Sequence, residues 1–140
     1  MSDVTRLLLD TCAAIWLAGE QSVSRETTEA IQAARAGGHS VFVSPITAWE
    51  IGLLVARGRM NVQMTPERWF ARLMQAPGLE LAEMTPNILI ASSFLPGSLH
   101  RDPADRILAA TARELGYCLV TRDRPLLEYA EEGHIQALAC

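Results

Sequence analysis

The sequence predicts an α/β fold, with a central parallel sheet covered by helices on both faces. Three observations carry this expectation. Short apolar runs alternate with helical stretches along the chain. The first run, Leu7 to Leu9, is apolar at every position instead of every second one, as in a strand buried on both faces. The helical stretches open on Ser, Thr or Asp, several followed directly by proline, and most stop at glycine.

After Leu7–Leu9 and Asp10, a helix is expected from Cys12 to about Gly19, followed by a polar break. Ser24-Arg25-Glu26-Thr27 reads as a capping start for a second helix, which reaches Ala36 and stops at Gly37-Gly38. Val41 to Val43 is the next strand. Ser44 and Pro45 are placed as N-cap and first residue of a helix running to about Arg57 and stopped by Gly58. Pro66 opens a helix ending near Ala76, and Leu79 to Met84 reads as a strand. Thr85-Pro86 starts a helix to Leu95, broken by Pro96-Gly97. Asp102-Pro103-Ala104-Asp105 combines a cap with an acid three residues on and begins a long helix ending at Gly116. Tyr117 to Thr121 is strand-like, Pro125 to Glu131 a short helix, and Ile135 to Leu138 a last strand.

The chain of 140 residues, 49% of them apolar, is expected to form one domain over residues 1–140 around a single packed core. No apolar run approaches the roughly 18 residues of a membrane span, and MSDVTRLLLD lacks a signal-peptide pattern. Cys12, Cys118 and Cys140 are odd in number and form no CxxC pair, which favours the reducing cytoplasm over a disulfide scaffold. Cys12 and Cys118 are read as inert, partly buried thiols. The net charge of −4 gives no long-range field that would attract nucleic acid. All 12 cationic residues are arginine, a side chain suited to bidentate phosphate contacts, although genome composition produces the same bias.

In open α/β sheets, functional groups gather at the carboxyl ends of the strands. Asp10 ends the first strand here, and Glu50 lies in the second turn of the helix after strand two. Asp102 and Asp105 open the helix before the fourth strand, and Asp123 follows that strand. Acids packed together repel one another and raise each other's pKa, so such a cluster calls for cations. Mg²⁺ or Mn²⁺ is the expected occupant, with Asp10, Glu50, Asp102, Asp105 and Asp123 as candidate ligands and phosphodiester hydrolysis as the natural chemistry. Zinc is disfavoured, because His39, His100 and His134 are scattered along the sequence.

Each acid also has a purely structural reading. Asp10 and Asp123 suit a cap or turn, Asp102 an N-cap, and Asp105 the helix dipole. Glu50, among Ile46, Trp49, Ile51, Leu53 and Leu54, is the hardest to explain as a solvated face. Other phosphoryl-transfer folds fit poorly. A receiver domain needs a lysine, a dehalogenase-type phosphatase needs Asp-x-Asp where Asp10-Thr11-Cys12 stands, and neither GxxxxGK[ST] nor GxGxxG occurs.

LLLDT, SPITAWEIGLL and HRDPADRILAATARELGYCLVTRD, in this order, resemble PIN domains of the VapC toxin family, over roughly Arg6 to Leu138. The resemblance implies a three-layer α/β/α fold with a central parallel sheet of four or five strands. It implies a Mg²⁺- or Mn²⁺-dependent endoribonuclease with Asp10, Glu50, Asp105 and Asp123 as catalytic acids and Thr121 as a supporting hydroxyl. Asp102 and Asp105 both occupy the third motif, with Asp105 favoured. The resemblance further implies a homodimer restrained by a cognate VapB-type antitoxin. Met60, Met64, Trp69, Phe70 and Met74 are candidates for the antitoxin groove, with ordinary core as the alternative. Because the chain is acidic, RNA contacts are expected from local arginines, Arg101, Arg122 and Arg124. The competing function is a catalytically silent PIN-like module that binds RNA or protein.

Overall fold

The computed structural model describes residues 6–19 and 24–140. The polar break expected after Gly19 lies largely outside the described residues.

Five strands, β1 (Arg6–Leu9), β2 (Val41–Val43), β3 (Leu79–Leu81), β4 (Tyr117–Thr121) and β5 (Gln136–Ala139), form one sheet in the order β3-β2-β1-β4-β5. Every pairing is parallel. Among the described residues, seven helices connect them: α1 (Thr11–Ala18), α2 (Arg25–Ala36), α3 (Pro45–Ala56), α4 (Pro66–Leu73), α5 (Pro86–Ala91), α6 (Pro103–Leu115) and α7 (Arg124–Glu131).

The central strand behaves as its unbroken apolar run requires: Leu7, Leu8 and Leu9 are all buried. Successive strand side chains point to opposite faces, so the sheet serves two cores. Leu7 and Leu9, with Val41, Val43 and Val120, pack against Ala13 and Ala14 of α1, Ile31 and Ala34 of α2 and Leu73 of α4. Leu8 and Leu119 face the other way, onto Leu108, Ala109 and Ala112 of α6 and Leu126 and Tyr129 of α7. Helices therefore cover both faces, giving three layers.

Caps form at the expected helix starts and also at Thr65 and Asp123, the latter expected as a turn residue. Ser24, Ser44, Thr65, Thr85, Asp102 and Asp123 all accept backbone N–H bonds at helix N-termini. Asp10 does the same for α1, which begins one residue earlier than expected. Gly116 closes α6 at φ 73°, in the left-handed region that favours glycine.

Three expected elements are longer than the ones formed. The strand expected over Leu79–Met84 stops at Leu81, because its partner β2 ends at Val43 and the next residue, Ser44, already caps α3. The helix expected to reach Leu95 stops at Ala91. There the Ser92 hydroxyl donates to the Leu89 carbonyl at 2.6 Å, and Ser93 and Phe94 make tightened bonds to Ile90 and Ala91. α4 gives way after Leu73 to a similarly tightened turn through Ala76.

Strands β2 and β3 extend the sheet to one side of β1, and β4 and β5 to the other. The winding reverses between β1 and β4, and a crevice opens at such a reversal beyond the carboxyl ends of the strands. Asp10 leaves β1 there and Asp123 follows β4.

Candidate active site

A cleft of about 360 Å³ at this reversal is lined by Asp10, Glu50, Asp102, Asp105 and Asp123, with Thr11, Cys12, Trp16, Leu54 and Arg122. The structure thus brings all five sequence-predicted acids to one place from four separate parts of the chain.

Asp10 is buried as the N-cap of α1. Its Oδ1 accepts the Ala13 N–H at 2.7 Å and its Oδ2 accepts the Thr121 hydroxyl at 2.6 Å. The same Thr121 oxygen accepts the backbone N–H of Asp123 at 3.0 Å, so one buried hydroxyl ties the end of β4 to the end of β1. Asp123 caps α7 through Oδ2, which accepts from Leu126 at 3.1 Å. Glu50 comes from the second turn of α3 and accepts the Thr11 hydroxyl at 2.5 Å, while Thr11 lies 3.1 Å from the buried Thr47 hydroxyl.

The two acids of D-P-x-D make different contacts. Asp102 is an N-cap, its Oδ1 accepting the Asp105 N–H at 3.1 Å. Asp105, one turn in, places its Oδ2 2.9 Å from His100 Nε2. That nitrogen is also 3.6 Å from Asp123 Oδ2. His100, Asp105 and Asp123 form the tightest group, each offering an atom within 4.8 Å of the others. Asp10, Glu50 and Asp102 line the same cleft outside that group.

Crowding and burial act together on the acids. Burial raises the pKa of Asp10, against the lowering by Thr121 and Ala13, and the charge of Asp123 adds to the rise. Glu50 is raised by burial and by Asp102 and Asp10, and lowered by its bond from Thr11. Asp105 is pushed up to about 7 by burial and by Asp102 and Asp123, with His100 opposing. Carboxylates held against burial and mutual repulsion are a donor set that suits a hard divalent cation, so the residues present fit Mg²⁺ or Mn²⁺.

Several side chains depart from expectation. His100 lies against Asp105 and Asp123, whereas His39 and His134 lie elsewhere, beside Gly37 and Gly97. Cys12 is exposed, not partly buried, at the cleft wall. Its thiol is nonetheless pushed up to about 11 by burial and by Asp10, Glu50 and Asp105, which keeps it unreactive. Thr11 and His100 were missed as site residues; each is a polar neighbour of a predicted acid at a helix start, which is the signal that could have found them.

The late arginines divide by role. Arg106 donates to the carbonyls of Ser92, Leu99 and His100, and Arg113 to that of His134. Arg122 lies over the Trp16 ring at 3.8 Å and donates to the Cys140 carbonyl at 2.6 Å. Arg101 is exposed, and Arg124 is largely so, with a 3.8 Å ion pair to Glu128.

Residues 7–132 match the PIN domain family. Ribonuclease VapC22 of Mycobacterium tuberculosis is 33% identical over 124 residues, covering 88% of this chain and 91% of that protein. Among solved structures, VapBC2 from Rickettsia felis, bound to a DNA fragment from its promoter, has a TM-score of 0.70 at 12% identity. That match covers 96% of this chain and 98% of the other. DNA-bound VapBC from Salmonella typhimurium has a TM-score of 0.66 at 20% identity, with the same coverage of 96% and 98%. These likenesses run nearly the full length of the chain: the chain belongs to the PIN-domain family, among its VapC-type members.

Proposed function

We propose that this protein is the endoribonuclease toxin of a VapBC-type toxin–antitoxin pair, a single PIN domain that hydrolyses RNA phosphodiester bonds with Mg²⁺ or Mn²⁺. The observation that carries this reading is the cleft at the β1–β4 reversal. There Asp10, Glu50 and Asp105 all have raised pKa values, and each is held by a hydrogen bond, from Thr121 to Asp10, from Thr11 to Glu50 and between His100 and Asp105. The 33% identity to a VapC ribonuclease supports the same chemistry.

In this reading Asp10, Glu50, Asp105 and Asp123 are the catalytic acids that hold the metal. A bound divalent ion supplies Lewis-acid stabilisation of charge at the phosphate and activation of water for hydrolysis. The chain's own groups fix the acids: Thr121 orients Asp10, Thr11 orients Glu50, and α7 holds Asp123 by its first-turn N–H. Asp102 belongs to the scaffold that sets the angle of α6, close enough for its charge to be felt by Glu50 and Asp105. Arg101 and Arg124 are free enough to meet RNA phosphates, with Arg122 at the cleft wall.

Partners follow from two apolar surfaces. Met64, Trp69 and Leu73 line a cleft of about 430 Å³ with Leu17, which supports an antitoxin groove there, although Trp69, Phe70 and Met74 also pack on the core. Leu89, Ile90 and Phe94, exposed on and just after α5, support a homodimer face. No described helix is long and apolar enough to cross a membrane, and a cytoplasmic site of action is part of the proposal.

The decisive experiment is cleavage of a mixed cellular RNA substrate by purified protein with Mg²⁺, with Mn²⁺ and with chelator. Asp105→Asn serves as the matched control. Metal-dependent cleavage that disappears in the variant is the expected result. Equal cleavage by both proteins, or none by either under any condition, would overturn the reading.

A further inference from the structure

The group His100–Asp105–Asp123 has the outline of a three-ligand metal site, yet the hydrogen bonding of the ring argues otherwise. Nε2 faces two carboxylates, 2.9 Å from Asp105 Oδ2 and 3.6 Å from Asp123 Oδ2. Ionised carboxylates only accept, so against them a bare ring nitrogen would oppose lone pair to lone pair, whereas an N–H satisfies them.

The other ring nitrogen decides the matter. Nδ1 is buried and has no hydrogen-bond partner among the described residues. A neutral imidazole carries one N–H, and placing it on Nδ1 would bury a donor with no acceptor. Orphaned buried N–H groups are rarer than under-used acceptors, because the lost hydrogen bond is not recovered elsewhere. For Nε2 to bind a metal, the ring proton would have to sit on Nδ1. Metal-bound histidines almost always pass that proton to a carboxylate, carbonyl or water, and no described residue here can accept it.

We propose that His100 is a positioning residue: it holds a proton on Nε2, donates it to Asp105 Oδ2, and stays outside the metal's ligand set. The inference rests on the metal-centre reading above. The loop is built for this role. Arg106, the residue after Asp105, donates through Nη1 to the carbonyls of Leu99 at 2.9 Å and His100 at 3.3 Å, and through Nε to Ser92 at 2.9 Å. The backbone of His100 is thus fastened to the same helical turn that carries Asp105. The spacing between ring and carboxylate is set locally, with or without an ion.

Two measurements test this. Long-range ¹H–¹⁵N correlation spectra of the labelled, metal-free protein at about pH 8 report the ring tautomer, and loss of one ring's signals in His100→Gln assigns it against His39 and His134. Protonated Nε2 with bare Nδ1 is expected; a proton on Nδ1 overturns the proposal. Mn²⁺ affinity, read by electron paramagnetic resonance alongside melting curves, is then compared in His100→Gln and His100→Leu. Glutamine keeps an amide N–H near the Nε2 position and should stay within about threefold of the parent. Leucine should weaken binding about tenfold, the size of one charge-assisted hydrogen bond. Equal loss in both variants would make the imidazole a ligand, and no loss in leucine would remove its positioning role; either overturns the proposal. If the parent binds no Mn²⁺, the metal-centre reading fails, and the tautomer alone then decides whether His100 is the donor to Asp105.

Discussion

Replacing Asp105 with asparagine should stabilise the metal-free protein, by an amount that depends on pH in a calculable way. The carboxyl has a pKa of about 7 in the folded chain against an ordinary value of 3.8. Between these values the folded protein retains a proton that the unfolded chain has released. Raising the pH therefore favours unfolding across this window, and the penalty is complete once the pH passes about 7. The gap is roughly three units, and at about 1.4 kcal/mol per unit the ceiling is near 4 kcal/mol. Solvent reaches the side chain, which is 20% exposed, and screens part of this, leaving about 2 kcal/mol. Asparagine removes the charge yet keeps an oxygen to accept from His100, and its backbone N–H still reaches Asp102. Urea melts of parent and variant with chelator should therefore differ by about 2 kcal/mol at about pH 8.5, favouring the variant, and by a small fraction of that at about pH 4.5. With millimolar Mg²⁺ or Mn²⁺ the order should reverse, because only the parent gains binding energy. A variant no more stable than the parent at high pH, or a difference that does not change with pH, would refute the picture of a repelling cluster.

Four further outcomes are expected. Thr121→Val removes a donor to Asp10 and an acceptor for the Asp123 N–H at a fully buried position, so urea melts should show a loss of about 3 kcal/mol. Asp102→Asn should keep stability and part of the RNA cleavage, since an amide oxygen also caps; abolished cleavage there with full activity in Asp105→Asn would exchange their roles. Charge reversal at Arg101 or Arg124 should weaken RNA binding in a filter or anisotropy assay more than reversal at Arg25 or Arg35. At Arg122 the same change should also lower the melting temperature, because that side chain packs on Trp16 and bonds Cys140. Phe94→Glu should shift the sedimentation profile from dimer to monomer if α5 is the self-association face; an unchanged profile would move that face elsewhere.

The helix starts were readable because their chemistry is local. A Ser, Thr or Asp before proline makes the same cap wherever it occurs, and Ser44, Thr65, Thr85 and Asp102 all do. The acids were readable because each lies at or near a strand's carboxyl end or a helix start. The shortfalls are non-local. β3 is short because its neighbour turns away at Ser44, a fact stored outside its own residues. His100 bonds an acid five residues on across a loop whose carbonyls Arg106 ties to α6, an arrangement no periodicity announces. Glu50 and Thr11 meet across 39 residues, a pairing set by the packing of α3 beside α1.

Asp10, Asp102 and Asp123 are each a helix cap as well as a charge at the cleft. That double use shapes how such a chain can change over time. An aspartate codon becomes an asparagine codon by a single base transition, and asparagine caps a helix about as well as aspartate does. At Asp123, therefore, the mutational step that would silence the proposed chemistry leaves the cap standing, whereas at Asp10 an asparagine would still cap α1 but would offer the Thr121 hydroxyl no second acceptor oxygen. A lineage released from selection for cleavage would pass through folded, soluble, inactive proteins instead of through misfolded ones. Those intact bodies would still present every other surface of the parent, ready to be kept for what they bind.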